Sequence, residues 1–238
     1  MNSNIMMDIQ NDINIDYNKL FGEKWVEVLE DFLYLDRIKD TLFQAYCLYE
    51  KGNVYPNKKD LFKSFRMCDP AELKIVIIGD EPYKDGTATG IPFAKNVKPT
   101  KGDLSDPLYL IEKCINEKIY KGLKLAHFDY SLEEWAEQGI LLLDTAFTTE
   151  DKKSHLFLWK PFIYRFLKEL NDVADNVIYI LWGKEAMQLS HIIDQKRNFV
   201  LKYIHPKKAY EVNTPWICSS FNKANNILFE LGEEQIIW

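Results

Sequence analysis

Cysteine is scarce. The 238 residues hold four, Cys47, Cys68, Cys114 and Cys218. No two stand at metal-ligand spacing, so the reading is reduced core thiols with no metal and no cofactor. Glycine (10) and proline (9) are sparse too. No Pro/Ser/Gly linker, internal repeat or low-complexity tract interrupts the chain, so one unit is expected over residues 17–238. No apolar run approaches the ~18–20 residues that span a bilayer, so no membrane partner is expected. Residues 1–16 are rich in Asn and Asp and lack the apolar core of a signal peptide. They read as a flexible extension, and the chain as cytoplasmic. Positive charge is also in deficit: 30 Lys and Arg face 36 Asp and Glu, a net charge of −6. That argues at first against nucleic acid, whose phosphates need cations, but the distribution of charge matters more than its sum.

What the chain does have is apolar β-branched runs that end in polar residues. Ile75-Val76-Ile77-Ile78-Gly79 runs into Asp80-Glu81-Pro82-Tyr83. Gly139-Ile140-Leu141-Leu142-Leu143 ends in Asp144-Thr145, Val177-Ile178-Tyr179-Ile180-Leu181-Trp182 in Gly183-Lys184, and Tyr203-Ile204 in His205-Pro206. Continuous apolar runs read as buried parallel strands. Helical spacing fills the intervals: residues 17–50, 60–65, 107–117, 161–170, 185–193 and 219–231, with Ser131 capping a helix that runs to Gln138. The fold class is α/β, a three-layer α/β/α arrangement around a mainly parallel four-stranded sheet. In such sheets ligands bind at the carboxyl ends of the strands. Adjacent acids there are costly, which marks Asp80 and Glu81 as candidate functional groups beside the blander reading of a solvated turn.

The order and spacing of these segments resemble the family-1 uracil-DNA glycosylases. Their pattern is Gly-Gln-Asp-Pro-Tyr, then Leu-Leu-Leu-Asn-Thr, Leu-Trp-Gly and His-Pro-Ser-Pro-Leu. The resemblance runs from Trp25 to Trp238 and includes Val54-Tyr55-Pro56, Asp60-Leu61-Phe62 and Phe221-Asn222-Lys223-Ala224-Asn225. It implies a single DNA glycosylase domain, monomeric, that acts on duplex or single-stranded DNA and leaves an abasic site in base-excision repair.

The resemblance also implies roles. Glu81 falls where the family has an Asp that positions water and stabilises the cationic sugar. Asp80 replaces a Gln; it raises its neighbour's pKa or points into solvent. Tyr83 walls the C5 side of the base, although the loop after it is one residue shorter than the commonest family form. Phe93 is the stacking platform. His205 donates to the base O2 as negative charge builds there. His155 lies near a similar Ser-His in the family and reads as structural. Lys184, Lys207 and Lys208, with Lys95, Lys98 and Lys101, sit near strand ends where they can form a basic rim for DNA. Ala209 occupies the position of the Leu that wedges into the duplex, and Tyr210 is the candidate to replace it.

Asp144 departs most. The family has Asn there, accepting from uracil N3–H and donating to O4. A carboxylate cannot donate unless protonated, but it accepts from cytosine N4 and from a protonated N3; the blander reading is an Asp144 that is neutral, or turned away, in an inactive or uracil-reading site. The expectation is a cytosine-type base, a modified cytosine of foreign DNA in a defence role being the rational target. The alternatives are an ordinary uracil-DNA glycosylase and an inactive DNA-binding module of a replication complex.

Overall fold

The four apolar runs assemble into one sheet. In the computed structural model, which describes residues 15–123 and 127–238, six strands form: β1 Ile75–Gly79, β2 Ile140–Asp144, β3 Thr149–Glu150, β4 Lys153–Ser154, β5 Ile178–Trp182 and β6 Phe199–Tyr203. The main sheet has the order β2-β1-β5-β6, with every pairing parallel. β3 and β4 make a separate antiparallel hairpin.

Side chains alternate across the sheet and divide the core in two. Val76, Ile78, Leu141, Leu143 and Tyr179 pack against Phe21, Trp25, Phe32, Phe162 and Phe166. Ile77, Ile140, Leu142, Ile180 and Trp182 pack on the other face against Ile111, Ile115, Trp135 and Phe221. Both faces are covered, which is why the strands read as unbroken apolar runs.

The helices depart from the sequence reading in detail. The helix expected from Pro161 spans Leu156–Val173, with the proline inside it. The helix near Ser131 spans Glu133–Glu137, with Leu132 at the cap position. Asp129 takes the capping bonds instead, accepting from the Ser131 and Glu134 amides at 2.8 and 3.0 Å. Most of the extension expected at residues 1–16 lies outside the described residues. Asp16 caps the helix Tyr17–Phe21 by accepting from the Lys19 amide. No helix among the described residues is long and apolar enough to cross a membrane.

Candidate active site

Parallel strands deliver their carboxyl ends to one edge, and the chain resumes there with the polar residues. One cleft at that edge is lined by Asp80, Glu81, Tyr83, Lys84, Phe93, Asp144, His205, Lys207 and Lys208. β2 continues alongside the segment after β1: the Thr145 amide bonds the Gly79 carbonyl at 3.1 Å, and the Thr145 hydroxyl donates to the Asp80 carbonyl at 2.7 Å. This fixes the backbone from which Asp80 and Glu81 project.

Asp144 stands on the cleft floor, 4% exposed. Gly79 is its register partner on β1. A β-carbon at Gly79 would lie 2.5 Å from Phe93 Cζ and 2.7 Å from Asp144 Oδ1. The missing side chain therefore lets the Phe93 ring and the Asp144 carboxyl approach each other. No hydrogen bond from the described residues reaches that carboxyl. Burial, then the charges of Asp80 and Glu81, raise its pKa well above the usual carboxylate range. Both causes favour the protonated form, a group with one donor and one acceptor.

Asp80 is pushed up to about 6 by burial first and by Glu81 second. Its Oδ1 is buried without a partner. It packs on Gly183, where a β-carbon would lie 2.7 Å from that oxygen. Glu81 is held differently. Lys84 Nζ contacts its Oε1 at 2.7 Å, and the Thr149 hydroxyl lies 3.4 Å from its Oε2.

His205 follows β6 and caps the helix Pro206–Glu211. Its Nδ1 accepts from the Lys207 amide at 3.2 Å, so the ring proton sits on Nε2. Burial, with Lys207 adding to it, lowers its pKa to about 4. The imidazole is thus a neutral donor, 8% exposed, with its ring centroid 5.6 Å from that of Phe93. Phe93 is braced edge-on by Trp182 at 5.0 Å. The Tyr83 hydroxyl donates to the Phe93 carbonyl at 3.0 Å, and Lys95 Nζ covers the Tyr83 ring at 4.4 Å. The two aromatic walls are tied to each other.

A neutral acid, a neutral imidazole donor, a carboxylate and two fixed rings around one cleft suit a flat polar ring and a developing cation. Comparison with known proteins gives that cleft a lineage. The family model for the uracil DNA glycosylase superfamily matches residues 65–229. The chain is 32% identical over 223 residues to the uracil-DNA glycosylase of Aliarcobacter butzleri, covering 90% of this chain and 99% of that one. It is 33% identical over 221 residues to that of Fusobacterium nucleatum, covering 90% and 94%. It belongs to the uracil DNA glycosylase superfamily. The crystal structure of mimivirus uracil-DNA glycosylase shares the fold, with a TM-score of 0.77 at 20% identity over 100% of this chain and 94% of that one.

Around the cleft of this superfamily member, the outer residues separate into those that face it and those that do not. Lys207 and Lys208 line it, and Lys208 is bridged to Glu211 at 3.0 Å. Lys184 is exposed at the start of the helix Lys184–Gln188 and does not line the cleft. Ala209 does not meet the expectation of a contact with DNA. The segment after His205 is helical, and the turn points Ala209 into the core at 0% exposure. Tyr210, 50% exposed, lines a neighbouring groove with Leu110 and Trp216. Lys95 leaves the expected basic rim, because its ammonium is buried against Asp106 at 2.7 Å. His155 is buried between Thr148 and Glu150, its two ring nitrogens 2.9 and 3.1 Å from their side-chain oxygens. Among the described residues no group of three or more His, Cys, Asp or Glu is placed to hold a metal ion.

Two contributors escaped the sequence reading. Lys84 carried a signal, a cation three residues after a candidate acid. Gly79 was read only as the end of a strand; its signal was its position directly before the acids.

Proposed function

We propose that this chain is a DNA glycosylase that hydrolyses the N-glycosidic bond of a pyrimidine flipped out of DNA, with uracil as its base. The observation that carries this reading is the Asp144 carboxyl, buried on the cleft floor with no hydrogen bond from the described residues and with burial and two neighbouring acids favouring its protonated form. A carboxylic acid has the donor and acceptor of a carboxamide. Its C=O accepts from uracil N3–H and its O–H donates to O4. Burial and two neighbouring acids favour the neutral Asp144 over the charged one that would oppose O4.

The remaining groups supply the chemistry. The base leaves the stack and lies on Phe93. As the C1′–N1 bond breaks, its electron pair goes to the base and charge grows on O2. The His205 Nε2–H meets that charge without having to lose a proton of its own. The Glu81 carboxylate stabilises the cationic sugar and takes a proton from the water that adds to C1′. The products are a free base and an abasic site, as base-excision repair requires.

Cytosine is the second reading, and one observation favours it. No hydrogen bond from the described residues reaches the Asp144 carboxyl, so none dictates which oxygen carries the proton. With the proton on the other oxygen, Asp144 donates to cytosine N3 and accepts from N4. The expected modified cytosine, and the defence role built on it, find less support. Tyr83 is tied in place, and the space behind it is mostly apolar, lined by Phe62, Phe65, Ile91 and Phe147 with Ser64 among them, which suits a polar substituent poorly. A binding module without activity needs neither Glu81 nor an Nε2–H aimed at a base.

The test is base release from oligonucleotides carrying uracil, cytosine or 5-hydroxymethylcytosine, single-stranded and duplex. Fastest release of uracil supports the reading. Faster release of cytosine promotes the second, and release of neither overturns both.

A further inference from the structure

Resting on that reading, we infer that Lys84 is a positioning residue for Glu81, and that the longer acid at this position works because of it. Glu81 has one methylene more than the aspartate expected there. The extra bond is an extra rotor, and an unheld carboxylate would sample several places relative to the sugar. The structure holds it at one strong point. Lys84 Nζ is 2.7 Å from Oε1, and both side chains are partly buried, at 34% and 26% exposure. The second contact is weaker. The Thr149 hydroxyl is 3.4 Å from Oε2 but lies nearer the Lys153 carbonyl, at 3.0 Å. Its single proton goes to the carbonyl. Lys84 is therefore the main restraint on the group that faces the sugar cation.

Charge gives a second reason. Lys84 lines the same cleft as Asp80, Glu81 and Asp144. Of the cleft's other lysines, Lys208 is bridged to Glu211, and the charge of Lys207 is shared among His205, Asp80 and Glu211. Lys84 compensates the acid that must stay ionised. It leaves the far carboxylate oxygen, Oε2, for the water and the sugar. A misplacement of about 1 Å costs on the order of a hundredfold in rate, so this restraint should be visible in kinetics.

The experiment is single-turnover uracil release, with rate and half-saturating enzyme concentration measured separately. The proteins are wild type, Lys84→Met, Lys84→Arg, Glu81→Asp, and Glu81→Asp combined with Lys84→Met. Lys84→Met should slow the step roughly ten- to hundredfold with half-saturation unchanged. Lys84→Arg should restore most of the rate. In the Glu81→Asp background the carboxylate is withdrawn from the ammonium, so Lys84→Met should matter little. Thermal melts of each variant separate misfolding from mispositioning. Three results would overturn the inference: a Lys84→Met effect on half-saturation alone, which would make Lys84 a phosphate contact; equal Lys84→Met losses in both backgrounds; or no loss at all. A wild type that releases no base at all defeats the functional reading, and this inference with it.

Discussion

Gly79 and Asp144 face each other across β1 and β2, and the acid's Oδ1 fills the space where a Gly79 β-carbon would stand. The same space admits the edge of the Phe93 ring. One absent methyl thus sets the distance between the ring that would carry a base and the acid that would read it.

Gly79→Ala should therefore damage the site more than the fold. Overpacking of this kind costs about 1–3 kcal/mol. The ring and carboxyl must separate to admit the methyl, so base release should fall well beyond what the loss of stability explains. Melting temperature measured beside single-turnover rate checks this. A variant with full activity would show that the contact is slack.

Asp144→Asn should change the pH dependence of uracil release. The wild type needs a neutral Asp144, whose pKa is raised. Its activity is therefore present at lower pH and lost as pH rises through that pKa. The Asn variant has no such limb and should stay active into alkali. Parallel pH–rate profiles for the two proteins would refute the neutral-acid reading.

Asp80 extends the same linkage to stability. Its pKa is near 6 in the folded protein, against an ordinary value of 3.8. Below about pH 4 both folded and unfolded chains hold the proton, and the stability it links is fully present. Between there and about pH 6 the unfolded chain loses the proton first, and folding weakens. Asp80→Asn should remove that decline, a gain on the order of 1–2 kcal/mol at neutral pH after allowance for partial exposure. Denaturant melts at pH 4.5 and pH 7.5 would show it; an identical shift at both values would not fit.

His205 should act as a neutral donor. Its depressed pKa, about 4, keeps it uncharged at neutral pH, with protonation reached only as pH falls through that value. His205→Ala should slow single-turnover release on the order of 10²–10³-fold while DNA affinity changes little. A matching loss of affinity would point to a structural role.

On the outer face, Lys207→Ala with Lys208→Ala should weaken binding to any sequence. The salt dependence should become shallower by about 0.9 for each duplex phosphate the protein no longer neutralises. Ala209→Leu should cost about 1–3 kcal/mol through overpacking and supply no wedge, because the side chain faces the core. Tyr210→Ala should impair duplex substrates selectively if that ring holds the duplex open. Equal losses on single strands would remove it from that role.

Much of this architecture was legible in the chain. Strands buried on both faces leave uninterrupted apolar runs, and each run stops at the residue where the site begins. The hairpin of β3 and β4 was not legible, because two-residue strands carry no period. The start of the helix Leu156–Val173 was hidden by Pro161, which resembles a first-turn proline but lies in the second turn. The burial of Ala209 depended on a helical turn after His205 that aligned motifs do not reveal. Lys84 was visible as a charge, but its bond to Glu81 depends on how the chain bends after β1. For Asp144 the sequence left a charged and a neutral acid both open: residue identity gives a group's chemistry in water, and the packed strand end that removes the water favours the neutral form.

The placement of Asp144 also bears on how such a cleft diversifies. Carboxyl and carboxamide are nearly the same size, and no hydrogen bond from the described residues would be lost in the exchange. Swapping them leaves the strand, the rings and the imidazole where they are and alters only which protons are on offer. Asparagine and aspartate codons differ by a single transition. A change of base choice at this position therefore needs no rebuilding of the strand end.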